Sequence, residues 1–156
     1  MEIKKLIGLV LQDVALYPML TAWENLLFWG RMYGIPGGIL RERADKALEI
    51  AGLMVRENDR IDKYSGGMKR RINIAAALLH NPSILVMDEP TVGIDPQSRN
   101  HILETVLELN SEGITVIYTS HYMEEVEHIC KYAAIMDHGK IIAEGTSEQL
   151  KKLVDD

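Results

Sequence analysis

Apolar and polar positions follow two different periods along this chain. Ile7 to Leu11 is a short apolar run of the kind a buried strand uses, closed by Gln12-Asp13. Tyr17-Pro18 breaks the chain. Thr21, with Glu24 three residues later, makes a capping-box pattern and predicts a helix from about Ala22 through Tyr33. Gly34 to Gly38 (GIPGG) predicts a turn. Leu40 to Ala51 repeats small and apolar residues at helical spacing, with Ala44, Ala47, Leu48 and Ala51 on one side. Arg56 to Tyr64 reads as a polar connection. A further helix is predicted from about Ser65 to Leu79, stopped by Asn81-Pro82. Ile84 to Met87 is predicted as a buried strand. Asp95-Pro96 then opens a helix with Asp as N-cap and Pro in the first turn. That helix runs to about Asn110, and Gly113 ends it.

The second half keeps alternating. Ile114 to Thr119 is predicted as another buried strand, and a helix spans about Met123 to Cys130. AAIMDHGKIIAEG reads as two short strands around the turn Asp137-His138-Gly139-Lys140. Thr146 and Gln149 start a last helix. Strands alternating with helices imply an α/β fold with a mainly parallel sheet flanked by helices. The segment 17–79 is helix upon helix, and predicts a helical subdomain inserted into a core built from 1–16 and 80–156, all within one domain.

Composition narrows the function classes. A chain of 156 residues, 47% hydrophobic, suits one globular domain. Its net charge of -6 argues against a surface that coats nucleic acid, with Lys69-Arg70-Arg71 as a local basic patch to weigh. A single cysteine, Cys130, rules out an intramolecular disulfide and fits a reducing compartment. No apolar run approaches the ~18 residues of a membrane-spanning helix. The start, MEIKKLIGLVLQD, has too short an apolar stretch for a signal peptide and reads as a strand. A cytoplasmic protein is expected.

In a parallel sheet, ligands gather outside the carboxyl ends of the strands. Three predicted strands end in polar groups: Gln12, Asp88-Glu89 and Ser120-His121. Adjacent carboxylates suit a magnesium phosphate, one holding the hard cation and the other orienting or deprotonating an attacking water. A neutral His121 nearby can hydrogen-bond a phosphate oxygen. Ser65-Gly66-Gly67 sets backbone N–H groups and a hydroxyl at a helix N-terminus, which attracts anions, and glycine lets a phosphate approach without a Cβ in the way. Each feature also has a plain structural reading. The acidic pair can be a polar strand end, Asp95 an N-cap, Ser65-Gly66-Gly67 an ordinary helix start, and His121 a surface residue. Trp23, Trp29 and the methionines at helical spacing read as packing. His80, His101, His128 and His138 lack ligand spacing.

Together, YSGGMKRRINIAAALLHNPSILVMDEPTVGID (Tyr64 to Asp95), Gln12 before it and TVIYTSHYMEEVE after it resemble the later motifs of ATP-binding cassette (ABC) transporter ATPases, in order. The wording YSGGMKRR and DEPTVGIDP looks most like the multidrug and daunorubicin-resistance type, which pairs with ABC-2-type permeases. The resemblance implies a P-loop NTPase-like fold and roles residue by residue. Gln12 matches the glutamine at the magnesium and nucleotide site that faces the permease. Ser65, Gly66 and Gly67 match the signature that grips the γ-phosphate of ATP on the opposite subunit. Asp88 matches the Mg2+ residue, with Gln12 beside it, and Glu89 the general base. Asp95 matches the aspartate at the dimer interface, and His121 the switch histidine at the γ-phosphate. Implied partners are a second ABC ATPase subunit, identical or not, and an integral membrane permease. The place implied is the cytoplasmic side of the cell membrane. Tyr64 and Met68 depart from the commoner leucine and glutamine at the ends of the signature, while its phosphate-gripping centre is intact.

The large departure is a missing motif. ABC ATPases bind the β- and γ-phosphates with G-x-x-x-x-G-K-[ST]. Here the only Gly-Lys pair is Gly139-Lys140, with Ala134 five residues before the glycine and Ile141 after the lysine. The resemblance therefore implies the C-terminal two-thirds of an ATPase domain, with the N-terminal portion missing. On that reading the isolated chain is expected to be inactive, and less stable or dimeric through exposed strand edges. Two functions stay open: a nucleotide-binding subunit that couples ATP hydrolysis to export, and a non-catalytic fragment or partner that supplies only its signature face in trans. An ABC-type DNA-repair ATPase fits less well, since those carry long coiled-coil insertions where this chain has a compact helical segment.

Overall fold

The computed structural model describes residues 3–152. The order of elements is α1 (Ile3–Leu6), β1 (Ile7–Val10), α2 (Ala22–Met32), α3 (Gly37–Ala51), α4 (Gly66–Leu78), β2 (Ile84–Asp88), α5 (Pro96–Ser111), β3 (Thr115–Thr119), α6 (Met123–Ile129), β4 (Ala133–Asp137), β5 (Lys140–Gly145) and α7 (Ser147–Lys152). They form two compact units, Met1–Thr119 and Ser120–Asp156.

The first unit holds a three-stranded parallel sheet in the order β1-β2-β3. Ile7 stands opposite Ile84 and Val10 opposite Met87, while Ile84 stands opposite Thr115 and Asp88 opposite Thr119. All three strands therefore finish along one edge. Gly8, Val10, Leu85 and Met87 are buried, as period-two alternation requires when a helical layer covers one face. The opposite face carries Leu9, Val86 and Ile117 in one row, and Leu9 and Ile117 are 53% and 52% exposed. β3 thus corrects one expectation: it is not buried on both faces but alternates between exposed and half-buried, because it forms one border of this sheet.

Local chemistry accounts for the helix boundaries. At α2 the capping box forms, with the Glu24 amide donating to Thr21 Oγ1 (3.1 Å) and the Thr21 amide to Glu24 Oε2 (2.8 Å). α3 begins at Gly37, three residues ahead of the predicted start, so Gly37 and Gly38 belong to its first turn; the Leu40 amide already bonds the Pro36 carbonyl at 2.8 Å. Ser65 caps α4 through the Met68 amide (3.2 Å), and Asp95 caps α5 through the Ser98 amide (2.9 Å) with Pro96 at N1. α2, α3 and α4 share a core of Leu26, Leu48, Ile72 and Leu79. Ala44, Ala47, Ala51, Ala75 and Ala76 lie in that core too, and their short side chains let the helices approach closely. The stretch 56–64, expected as a polar connection, contributes Ile61 (1% exposed) and Tyr64 (5%) to the same core. Ile61 reaches it from a 3₁₀ turn, Ile61–Lys63, that helical periodicity does not detect.

In the second unit β4 and β5 form an antiparallel hairpin, Asp137 opposite Lys140, with a bulge between Ile135 and Met136. His138 and Gly139 both take positive φ (45° and 75°), as a two-residue turn of the primed class demands. Thr146 and Gln149 cap α7 reciprocally, at 2.9 and 3.3 Å.

One histidine ties β1 to the helical layer. His80 Nε2 bonds the Ile7 carbonyl (3.0 Å), and its ring stacks on Tyr33 with centroids 4.1 Å apart. Burial holds its imidazole below the ordinary value; nearby Arg43 adds to this, and the Ile7 bond opposes it. Nδ1 is buried with no hydrogen-bond partner among the described residues. The unfolded chain therefore takes up this proton first as pH falls. Stability should decline as pH drops through about 6.5 and below, until the folded His80 itself titrates. Urea melts of the wild type and of His80→Gln at pH 7.5 and 5.5 check this. The variant should lose less stability across the interval, and equal losses refute the assignment.

Candidate functional site

The common finish of the three strands brings several expected residues to one edge. Asp88 is the last residue of β2 and pairs in register with Thr119, the last of β3. Thr119 Oγ1 donates to Asp88 Oδ1 (2.7 Å), and the Glu89 amide donates to the same hydroxyl (3.0 Å) and to the Thr119 carbonyl (3.2 Å). One threonine therefore holds the whole Asp88-Glu89 step. Glu89 has φ +45°, in the left-handed region that a non-glycine residue enters at a cost. Those bonds to Thr119 are what hold it there. Beyond Glu89 the chain turns twice, with the Val92 amide on the Glu89 carbonyl (3.3 Å) and the Ile94 amide on the Thr91 carbonyl (3.2 Å), and then enters α5.

Gln12 leaves the sheet one strand over, two residues past Val10, which stands opposite Met87. Its carbonyl accepts from Arg70 Nη2, and the Leu11 carbonyl accepts from Arg70 Nη1 at 2.6 Å. Gln12, Asp88 and Glu89 thus share one sheet edge. His121 lies in the second unit, two residues past the end of β3, where its ring stands 5.1 Å from that of Tyr122.

Of Ser65, Gly66 and Gly67, it is Gly67 that meets Asp95. Gly67 is buried, and a Cβ placed on it would come 2.1 Å from Ser98 Oγ and 2.7 Å from Asp95 Oδ2. The N-termini of α4 and α5 are packed together at this point. Gly66 differs: it is exposed, and a Cβ there would meet nothing within 4 Å. The amide and hydroxyl of Ser98 hold the Asp95 carboxyl below the usual carboxylate range. Both plain readings made from sequence, Asp95 and Ser65 as caps, describe real bonds.

The basic run is corrected by its surroundings. Arg70 is 4% exposed and turned onto the loop after β1, while Arg71 donates to the Ala51 carbonyl (2.8 Å). Burial presses both guanidinium groups down, opposed by Asp13 for Arg70 and by Asp95 for Arg71. Two of the three cations are therefore spent inside the fold and offer no patch to nucleic acid. Cys130 is half-buried, and burial pushes its thiol up, away from reactivity. Thr119 and Arg70 escaped sequence reasoning. The sequence signal for Thr119 was a second five-residue strand finishing in a hydroxyl; for Arg70 there was none, since only the packing of α4 turns it inward.

The described residues include no group of three or more His, Cys, Asp or Glu placed to hold a metal. Asp88 is exposed with one oxygen engaged by Thr119. That fits an Mg2+ taken up mainly through water and phosphate oxygens, which needs only one or two carboxylates. No helix of the described residues is long and apolar enough to cross a membrane.

Residues 1–92 match the family described as ABC transporter. The chain is 63% identical over 147 residues to the linearmycin resistance ATP-binding protein LnrL of Bacillus subtilis (strain 168), covering 94% of this chain and 47% of the relative. It is 42% identical over 132 residues to the daunorubicin/doxorubicin resistance ATP-binding protein DrrA of Streptomyces peucetius, covering 85% and 40%. The chain thus spans about half the length or less of these curated relatives. Its fold superposes with TM-score 0.78 and 30% identity on the ATP-binding cassette MJ0796, solved as a dimer in a post-hydrolysis state with ADP and Pi, over 90% of this chain and 62% of that one. The match over more than half of the chain and the parallel sheet flanked by helices show that this chain belongs to the ABC transporter family, with the fold of that family's ATPase domain.

Proposed function

We propose that the chain works as the nucleotide-binding part of an ABC exporter, coupling ATP binding and hydrolysis to movement of a cargo through a membrane permease at the cytoplasmic face. One observation carries this reading: Thr119 holds Asp88 and a strained Glu89 side by side at the edge where Gln12 also leaves the sheet. In this role Asp88, with Gln12 beside it, holds Mg2+, which supplies neutralisation of phosphate charge when bound with ATP. Glu89 accepts the proton of the attacking water. His121 donates to a γ-phosphate oxygen. Ser65 and Gly66 meet the nucleotide carried by a second ATPase subunit, and Asp95 faces that subunit. The helical segment 17–79 forms a subdomain that passes the motion to the permease, with Tyr17 to Glu24 near its rim.

A second reading has its own support. No G-x-x-x-x-G-K-[ST] occurs in the sequence, whereas Gly66 is open to a ligand from outside. The chain can then lend its signature face in trans without hydrolysing ATP itself. ATP affinity and turnover of the isolated chain separate the two. Micromolar binding with steady hydrolysis supports the first reading. Absence of both, together with ATP-dependent association with an ABC ATPase that has the motif, supports the second.

In an ATP-hydrolysing assembly containing this chain, Glu89→Gln should lower the rate about 10²- to 10⁴-fold, as expected for a lost general base. Thr119→Val should lower it roughly 10- to 100-fold by releasing the acidic pair. Rates within twofold of wild type for both would refute the assignment.

The two signature glycines should separate by experiment. Gly67→Ala forces a Cβ onto Ser98 and should cost about 1–3 kcal/mol, read as a fall in Tm of several degrees. Gly66→Ala should leave Tm unchanged or slightly higher, since alanine favours helix, yet weaken ATP-dependent association. Equal Tm for the two variants would show that the packing distinction is wrong.

A further inference from the structure

Residues 11–17 have no regular secondary structure, yet side chains of two helices hold their backbone at most steps. From α4, Arg70 donates to the carbonyls of Leu11 and Gln12, and Asn73 Oδ1 accepts from the Ala15 amide (3.2 Å). From α2, Trp29 Nε1 donates to the Ala15 carbonyl (3.0 Å), and Asn25 takes the Tyr17 amide (2.8 Å) while donating to the Tyr17 carbonyl (3.1 Å). Asn25 is fully buried and Asn73 8% exposed. In the folded core such groups stay only where they are paired.

Arg70 is the member closest to the chemistry. It grips two successive carbonyls, and the second belongs to Gln12. Arg70 as a whole residue is 4% exposed, and Nε is buried with no acceptor among the described residues. Tolerating that lost bond makes sense if the fork is aimed by the loop it grips. A planar guanidinium presents two N–H groups to both carbonyls in one fixed geometry, whereas a lysine ammonium is a rotating point charge with no such fork. Arg70 also lies four residues past Gly66 on the same helix, about one turn or 6 Å along it.

We infer that Arg70 is the positioning residue for Gln12: it clamps the Gln12 backbone to the helix that begins with Ser65-Gly66-Gly67, so that the glutamine and the signature face move as one body. The inference rests on the proposed role of Gln12 at the Mg2+ and nucleotide site. It adds how that residue is aimed. A ligand that draws Gly66 toward it also carries Gln12, through one helical turn and two hydrogen bonds. A displacement of the 11–17 loop, from whatever partner, reaches Gly66 by the same path.

Two measurements test this. Hydrogen–deuterium exchange of the chain itself, wild type against Arg70→Met, reads the clamp. The bonded loop amides of Ala15 and Tyr17 should exchange about tenfold faster or more, while those of 72–78 in α4 keep their protection. Arg70→Lys should restore part of the loop's protection. An unchanged loop, or a uniform rise in loop and helix together, overturns the clamp, because the second is only general destabilisation. In the ATP-hydrolysing assembly, Arg70→Met should raise the Mg2+ concentration for half-maximal rate roughly tenfold, as losing an outer-shell support does, with little change in KM for ATP. It should add nothing in a Gln12→Ala background, since coupled residues are not additive. If Gln12→Ala shifts the Mg2+ dependence and Arg70→Met does not, the positioning role is wrong while Gln12 keeps its place. If Gln12→Ala leaves the Mg2+ dependence unchanged, the reading of Gln12 fails and the positioning role falls with it, whatever the exchange result.

Discussion

The first unit is organised by one crowded helix. α4 buries residues around most of its circumference, from Gly67 and Arg70 to Leu78. It packs on α2 and α3 through alanines, on β1, and on the start of α5. A helix buried on so many sides has little freedom to slide, because each neighbour fills a different groove. Ser65-Gly66-Gly67 is the free end of that helix, so its position is set by the packing of the whole layer. The contact of Gly67 with Ser98 and Asp95 then fixes where α5 can begin.

The sheet imposes the second constraint. Parallel pairing makes β1, β2 and β3 point the same way, so whatever follows each strand appears at the same edge. Register decides which groups become neighbours. Asp88 opposite Thr119 puts a hydroxyl beside the acidic pair, and that hydroxyl serves both residues at once: donor to the carboxylate, acceptor from the next amide. The left-handed Glu89 is maintained by this pairing. A residue strained at a strand end and supported by its neighbour is the arrangement expected where a side chain must be held still for chemistry.

Much of the fold was legible because its punctuation is local. Thr21 with Glu24, Asp95 with Pro96, Thr146 with Gln149 and the His138-Gly139 turn each act within four residues, so the sequence shows them directly. Ile61 and Tyr64 were not legible as core, because a 3₁₀ turn carries Ile61 inward without a helical repeat. The exposure of β3 was hidden for a different reason. An apolar run states that a strand can be buried, not whether a neighbour is there to bury it. The arginines misled in the opposite direction: charge on paper suggested surface, and packing turned both onto backbone carbonyls.

The sequence by itself determined where the capped helices α2, α4, α5 and α7 start, though not α1 or α3, which way the sheet runs, and which groups stand at strand ends: Gln12, Asp88 and Glu89. Those depend on caps, periodicity and connection, all short-range in the chain. Only the tertiary structure decided which of these groups share a support. Thr119 is 31 residues from Asp88 in the chain, and Arg70 is 58 from Gln12. Contacts of that span arise when separate elements pack, and a side chain's partner across such a gap depends on shape and register that no local pattern encodes.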